Sequence, residues 1–215
     1  MFYTVVIPTM WRSDLLYLAL KQYVNSLWIN EIILIDNNHN LVNQKKIKDK
    51  KVKIISKKEN LFVNPSWNIG CELSNNDNII FINDDVFISD INKLIKVIDN
   101  SNFDLVGLDL KNSNKHEEIV ITEIDKKTKR PYGFGCCFFI KKEKFKTIPN
   151  EIKIWYGDDI QYYSILNKAM VSIPKIQFEM SKTVNSIENL FSIVNDNDQP
   201  RYLEFCKENK IEIII

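Results

Sequence analysis

Glycine is scarce in this chain, five in 215 residues, and the scarcity excludes whole classes of phosphate site. No GxGxxG follows the first apolar run, which speaks against a dinucleotide-binding fold, and no GxxxxGK[ST] occurs, which removes a P-loop. Histidine is almost lacking: His39 and His116 are the two present, and both fall in polar stretches that read as surface loops. The four cysteines, Cys71, Cys136, Cys137 and Cys206, show no CxxC spacing. The adjacent pair Cys136 and Cys137 reads as small core residues of a strand in a reducing compartment. No apolar run approaches the ~18 residues of a membrane span, and "MFYTVVIPT" carries neither a basic n-region nor a cleavage site. The expected location is the cytoplasm, with peripheral attachment to a membrane left open. An excess of one charge is also missing: 29 basic against 28 acidic side chains leave +1, which gives no global footprint for nucleic acid.

What is present is an ordinary globular composition, 45% hydrophobic and 27% charged, in a chain of the length of one sizeable domain. Residues 1–215 are read as one unit, with a nucleotide-binding half over about 1–110 and an acceptor half over about 111–215. "YTVVIP" (3–8), "EIILID" (31–36), "VKIIS" (52–56) and "NIIFIND" (78–84) are short, β-branched apolar runs of the kind a parallel sheet buries on both faces. Between them, Leu15, Leu16, Leu20, Val24 and Leu27 recur at helical spacing after Ser13, a residue suited to an N-cap. "PSWNIGCELS" (65–74) reads as a helix with Pro65 in its first turn. The β-α-β order predicts an α/β fold with a mostly parallel central sheet and helices on both faces. The second half is more mixed. "FDLVGLDL" (103–110) and "GFGCCFFIKK" (133–142) read as strands, and the lysine-rich "DKKTKRP" (125–131) between them as a solvated loop. A helix is predicted from Asp158 to about Ala169, followed by short strands around 171–180 and a terminal helix.

Open α/β sheets bind ligands beyond the carboxyl ends of their strands, near the point where strand order reverses. The runs here end in "IPTMWR", "IDNN" and "INDD", so polar and acidic groups gather along one edge of an otherwise apolar sheet. Asp84 and Asp85 stand side by side at the end of a buried run, where two like charges repel and lose hydration. A cation would relieve both. Without a glycine-rich cradle, phosphates must be neutralised by something else, and paired carboxylates holding Mg²⁺ or Mn²⁺ would do it.

"VVIPTMWRSDLLYLAL", "EIILIDNN", "NPSWNIGCELSNNDNIIFINDDVFI", "GFGCCFFIKKEKF" and "WYGDDIQY" occur in the order, and at about the intervals, of family 2-type glycosyltransferases with the GT-A fold. The chain resembles that family over residues 3 to about 182. The resemblance implies a metal-dependent, inverting enzyme of hexosyltransferase type that moves a sugar from a nucleoside-diphosphate sugar, a UDP-sugar by family frequency, to a hydroxyl of a glycan or other acceptor. By the same resemblance, Pro8, Thr9 and Arg12 would lie along the nucleotide, and Asp36 would accept hydrogen bonds from its base or ribose. Asn83-Asp84-Asp85 matches the DxD signature, with Asn83 in place of its first Asp, Asp85 as metal ligand and Asp84 on the ribose or a metal-bound water. Asp159 would be the general base and Asp158 its orienting partner. Gly133, Gly135, Trp155 and Tyr156 would border the sugar or acceptor. The family often adds a late histidine to the metal, but "FEMSKT" (178–183) has none.

Each of these stretches also has a purely structural reading. "NDD" and "DNN" are good turn chemistry, Asp158-Asp159 suit the first turn of a helix, the two glycines suit a bulge, and Trp155 and Tyr156 suit a core. Two rival functions share the architecture: a silent sugar-nucleotide or glycan-binding module, and a sugar-phosphate nucleotidylyltransferase, whose glycine-rich phosphate loop "PTMWRS" lacks. A phosphoacceptor receiver domain fits less well, because its acidic pair would follow the first strand.

Overall fold

The structure is a computed structural model and describes residues 1–179 and 188–214. In chain order its elements are β1 (Tyr3–Thr9), α1 (Leu15–Asn25), β2 (Ile29–Asp36), α2 (Leu41–Gln44), β3 (Val52–Ser56), α3 (Val63–Leu73), β4 (Asn78–Ile82), β5 (Val86–Ile88), α4 (Ile91–Asp99), β6 (Leu105–Leu108), β7 (Val120–Glu123), β8 (Cys137–Lys141), α5 (Gly157–Ser164), β9 (Lys168–Ser172), β10 (Ile176–Phe178) and α6 (Glu188–Glu208). Eight strands form one sheet in the order β3-β2-β1-β4-β8-β6-β9-β7, and β5 pairs with β10 apart from it. Pairs β1–β2, β2–β3, β1–β4 and β6–β9 are parallel, while β8 runs antiparallel to both β4 and β6, and β7 to β9.

The apolar runs of the first half fold as predicted because they are buried on both faces. β1 sends Tyr3, Val5 and Ile7 into one apolar layer and Val6 into the other, and β2 divides Ile32 and Leu34 from Ile33 and Ile35 in the same way. Helices α1 and α4 cover the first layer, and α3, α5 and α6 contribute to the second. Helix α4 shows the logic plainly: Ile91, Leu94, Ile95 and Ile98 fall on one buried stripe, and Asp90 accepts a hydrogen bond from Lys93 N at 2.9 Å as its N-cap. Among the described residues, no helix is long and apolar enough to cross a membrane.

Several boundaries differ from expectation. The first helix ends at Asn25, where Ser26 turns extended, so Leu27 lies beyond it and is 86% exposed rather than on the apolar stripe. Ser13 precedes the cap residue Asp14, but its Oγ still accepts from Leu15 N at 3.2 Å. The helix expected over 158–169 stops at Ser164. Ile165 is extended, and Lys168–Ser172 become β9, so that Lys168 and Ala169, expected at the end of the helix, pair instead in the sheet between β6 and β7. "GFGCCFFIKK" is not one strand: Gly133 is left-handed (φ 79°), Phe134–Cys136 form a 3₁₀ turn, and the strand begins at Cys137. The tail around residues 180–183, where a late histidine was sought, lies outside the described residues.

Candidate active site

Strand order places the switch point between β1 and β4, since β2 and β3 extend the sheet to one side of β1 and β4 begins the other. Pro8 helps to open it. β1 pairs with β4 only from Tyr3 to Val6, although it follows β2 as far as Thr9–Asp36. Pro8, which has no N–H to donate, therefore falls where the β4 ladder has already ended. Beyond this fork the polar strand ends meet. Thr9 Oγ1 donates to Asp84 Oδ2 at 2.7 Å, Met10 N donates to the same oxygen at 3.3 Å, and Thr9 Oγ1 accepts from Trp11 N at 2.8 Å. Thr9 is thus committed to holding Asp84, and Arg12 lies exposed on the loop that follows.

The turn between β4 and β5 carries Asn83, Asp84 and Asp85. Asn83 N donates to Cys136 O at 3.0 Å, Val86 N donates to Asn83 O, and Asp85 O accepts from Glu179 N at 2.9 Å. These bonds account for a turn of this composition, and both carboxylates are nonetheless buried, at 7% and 4% exposure. Burial, reinforced by the charge of Asp85 and partly offset by the Thr9 hydroxyl, pushes Asp84 up to about 6. An acidic turn made only for structure would be solvated; this one concentrates negative charge where water is excluded.

Asp36 behaves differently. It is fully buried and accepts from Asn38 N (2.9 Å), Asn40 N (2.9 Å) and Gln44 Nε2 (2.6 Å). Burial would raise its pKa, but these bonds outweigh it and hold the carboxyl below the ordinary range. The described contacts of Asp36 are mostly those of the turn that follows β2, with the Trp11 side chain beside them.

Across the rim, the first turn of α5 presents Asp158 and Asp159, as a helix N-terminus favours. They are bridged by Arg130, whose Nε donates to Asp159 Oδ1 at 2.6 Å and whose terminal nitrogen lies 2.8 Å from Asp158 Oδ2. Burial and the charge of Asp158 raise Asp159 to about 6, against the pull of Arg130. Cys136 stands between the two acidic sites: after burial, the charges of Asp85 and Asp158 push its thiol up. Gly135 has a firm reason to be glycine, since a Cβ there would overlap Asp158 Oδ2 and stand 2.7 Å from its Cγ. Gly135→Ala is therefore expected to displace Asp158 and lower turnover by about tenfold or more, with thermal unfolding little changed. A wild-type rate in a steady-state assay would show that the fit at Gly135 is not needed.

Tyr156 lies on the core side of the acidic pair, near enough to Asp159 for that charge to raise its phenol after burial does. Its ring stacks on Tyr202 of α6 at 4.6 Å and its hydroxyl donates to Asn195 Oδ1 at 2.8 Å, so it is a core aromatic. Trp155 is 38% exposed and remains a candidate wall. Gly133 turns the chain toward the 3₁₀ segment from a left-handed conformation that suits glycine.

Sequence reading missed two residues. The solvated-loop reading holds for Lys126, Lys127 and Lys129, which are exposed, and fails for Arg130. The available signal was rarity: Arg12, Arg130 and Arg201 are the three arginines among 29 basic residues, and arginine is the residue that bridges two carboxylates with a planar fork. Asp198, in the middle of α6, is fully buried and accepts from the backbone N–H groups of Lys153, Ile154 and Trp155 at 2.9, 2.8 and 3.0 Å. It thereby sets the segment that enters α5, and no local pattern announced it.

The model of glycosyl transferase family 2 matches residues 4–170, and the chain belongs to that family. No curated protein matches it significantly in sequence. Among solved structures it is similar to S. aureus TarS 1-349 in complex with UDP, with a TM-score of 0.61 and 15% identity over 79% of this chain and 57% of that one. The same TarS fragment with UDP-GlcNAc gives 0.59 and 14%, covering 86% and 61%. GalNAc-T7 with UDP, GalNAc and Mn²⁺ gives 0.58 and 14%, covering 83% and 44%. At such identities the likeness establishes the GT-A fold. The chain spans less than two thirds of the length of each of these three.

Proposed function

We propose that the chain transfers one sugar from a nucleoside-diphosphate sugar to a hydroxyl of a glycan or other acceptor, with inversion at the anomeric carbon. The observation that carries this reading is the pairing of two acidic sites across one rim: the buried Asp84-Asp85 at the switch point, and the half-buried Asp158-Asp159 at the head of α5. One suits a diphosphate with its cation, the other an acceptor hydroxyl. UDP is the favoured nucleotide because TarS and GalNAc-T7 both bind it.

A divalent ion, Mn²⁺ or Mg²⁺, fits the first site. Two adjacent buried carboxylates, one raised to about 6 by burial and its neighbour's charge, are hard oxygen donors of the kind that Mg²⁺ and Mn²⁺ take. Among the described residues no group of three or more His, Cys, Asp or Glu side chains stands ready to hold a metal. Mg²⁺ in nucleotide sites is commonly bound by one or two protein carboxylates together with substrate phosphates and water. Asp85 would be the principal ligand, with Asp84 held alongside it by Thr9. When bound, the ion supplies Lewis-acid stabilisation of the departing diphosphate. Asp159 takes the proton of the acceptor hydroxyl while that oxygen bonds to the anomeric carbon and the bond from carbon to diphosphate oxygen breaks.

The test is release of UDP from a set of UDP-sugars with and without Mn²⁺, alongside thermal unfolding. UDP with Mn²⁺ at ~100 times its Kd is expected to stabilise the native state by about 2.7 kcal/mol, a rise of roughly 5 °C or more for a domain of this size, and UDP-sugar is expected to turn over. Stabilisation without turnover would leave a binding module; neither effect would end the reading.

A further inference from the structure

We propose that Arg130 is the positioning residue of the acceptor side, clamping Asp158 and Asp159 into one orientation and keeping the pair able to accept a proton. The inference rests on the reading of Asp159 as the base. Successive helical residues do not face each other, so Asp158 and Asp159 need an external group to draw their carboxylates to one point. The Arg130 fork does this with two different nitrogens on two different carboxylates, at 2.6 and 2.8 Å. A lysine offers only a point charge for the same task. The loop that delivers Arg130 has its own anchor, because Tyr162 on α5 donates its hydroxyl to Thr128 O at 2.8 Å. The guanidinium is thus held in place by more than its own ion pairs.

The charges around the pair leave Arg130 little help. Asp159 is faced by Asp158, by Tyr156 before α5, by Tyr162 and Tyr163 on α5, and by Tyr202 and Cys206 on α6; Cys136 faces Asp158. Burial pushes every one of these phenols and thiols up, so they are neutral at neutral pH. Among the described residues facing Asp159, the opposing charge is Arg130. Without it, burial and Asp158 would act unopposed, Asp159 would rise further above about 6, and the base would hold its proton at neutral pH. Removing a cation raises a carboxyl pKa, so the acid limb of activity moves to higher pH.

Release of UDP from UDP-GlcNAc with Mn²⁺, followed across pH, tests this in Arg130→Gln and Arg130→Lys. Arg130→Gln is expected to lose more than about tenfold in kcat at neutral pH, about tenfold from poorer aim and the rest from protonation of the base, to keep its donor KM within about twofold because the donor side is untouched, and to regain the second part as pH rises, its acid limb displaced upward by about one unit or more. Arg130→Lys is expected to keep the acid limb and to lose about tenfold in kcat through poorer aim. An unshifted acid limb in Arg130→Gln, or an equal loss at every pH, overturns the proposal. Should Arg130→Gln not fold, an unchanged kcat in Arg130→Lys overturns it. Asp159→Asn separates the two ideas: if that variant keeps its rate, the base assignment has failed, whereas an inactive Asp159→Asn beside an unshifted Arg130→Gln removes only the role of Arg130.

Discussion

Replacing Asp85 by alanine is expected to abolish UDP release and, with it, the dependence of UDP binding on Mn²⁺. The loss should reach about 10³-fold or more, the equivalent of several kcal/mol of charge stabilisation at the departing diphosphate. The reason lies in the turn itself. Asp84 is held by Thr9 and Met10, while Asp85 closes the rim through its backbone contact with Glu179; removing the Asp85 side chain leaves a single buried carboxylate to meet the cation. Asp159→Asn acts on the other side of the sugar and is expected to cost about 10²–10⁴-fold in turnover with nucleotide affinity intact. Calorimetric titration of each variant with UDP, with and without Mn²⁺, distinguishes them. Mn²⁺-dependent UDP binding of wild-type strength in Asp85→Ala would remove the metal from Asp85.

Asp198→Ala is expected to be the most destabilising single change near the site. The carboxylate is fully buried and takes three backbone N–H groups of one short segment, and hydrogen bonds to a charged group contribute about 1.5–3 kcal/mol each while donors stranded without a partner cost more. Allowing for partial relaxation to water, a loss of about 3 kcal/mol follows, which for a chain of this size lowers the midpoint by about 6–12 °C. Because Lys153–Trp155 lead directly into α5, turnover should fall even well below the new midpoint. Thermal unfolding by circular dichroism measures the first effect. A midpoint within about 2 °C of wild type would mean that water replaces the carboxylate at little cost.

Much of the first half was legible because its information is local. β-branched runs, acidic residues at their ends and helical spacing between them are each written within ten or so residues, and the parallel order of β1 to β4 follows from short crossovers. The second half was less legible for the opposite reason. Lys168 and Ala169 read as the end of a helix yet begin a strand, since the partners of that strand are β6 and β7. Gly133 and Gly135 looked like one face of a strand, whereas a left-handed turn and the nearness of Asp158 account for them. The hydrogen bonds that Asp36 accepts from Asn38, Asn40 and Gln44 were not legible beforehand either, because they depend on the path of the turn.

By itself, then, the amino-acid order determined the α/β class and the sheet edge on which Asp84 and Asp85 collect, because burial pattern and turn chemistry act over neighbouring residues. Tertiary structure alone decided that Arg130 clasps an acidic pair 28 and 29 positions away, that Asp198 braces the approach to it, and that Tyr156 belongs to the core. Those outcomes depend on which segments the folded sheet brings together, and charge or ring type at a single position carries no record of a partner so distant along the chain.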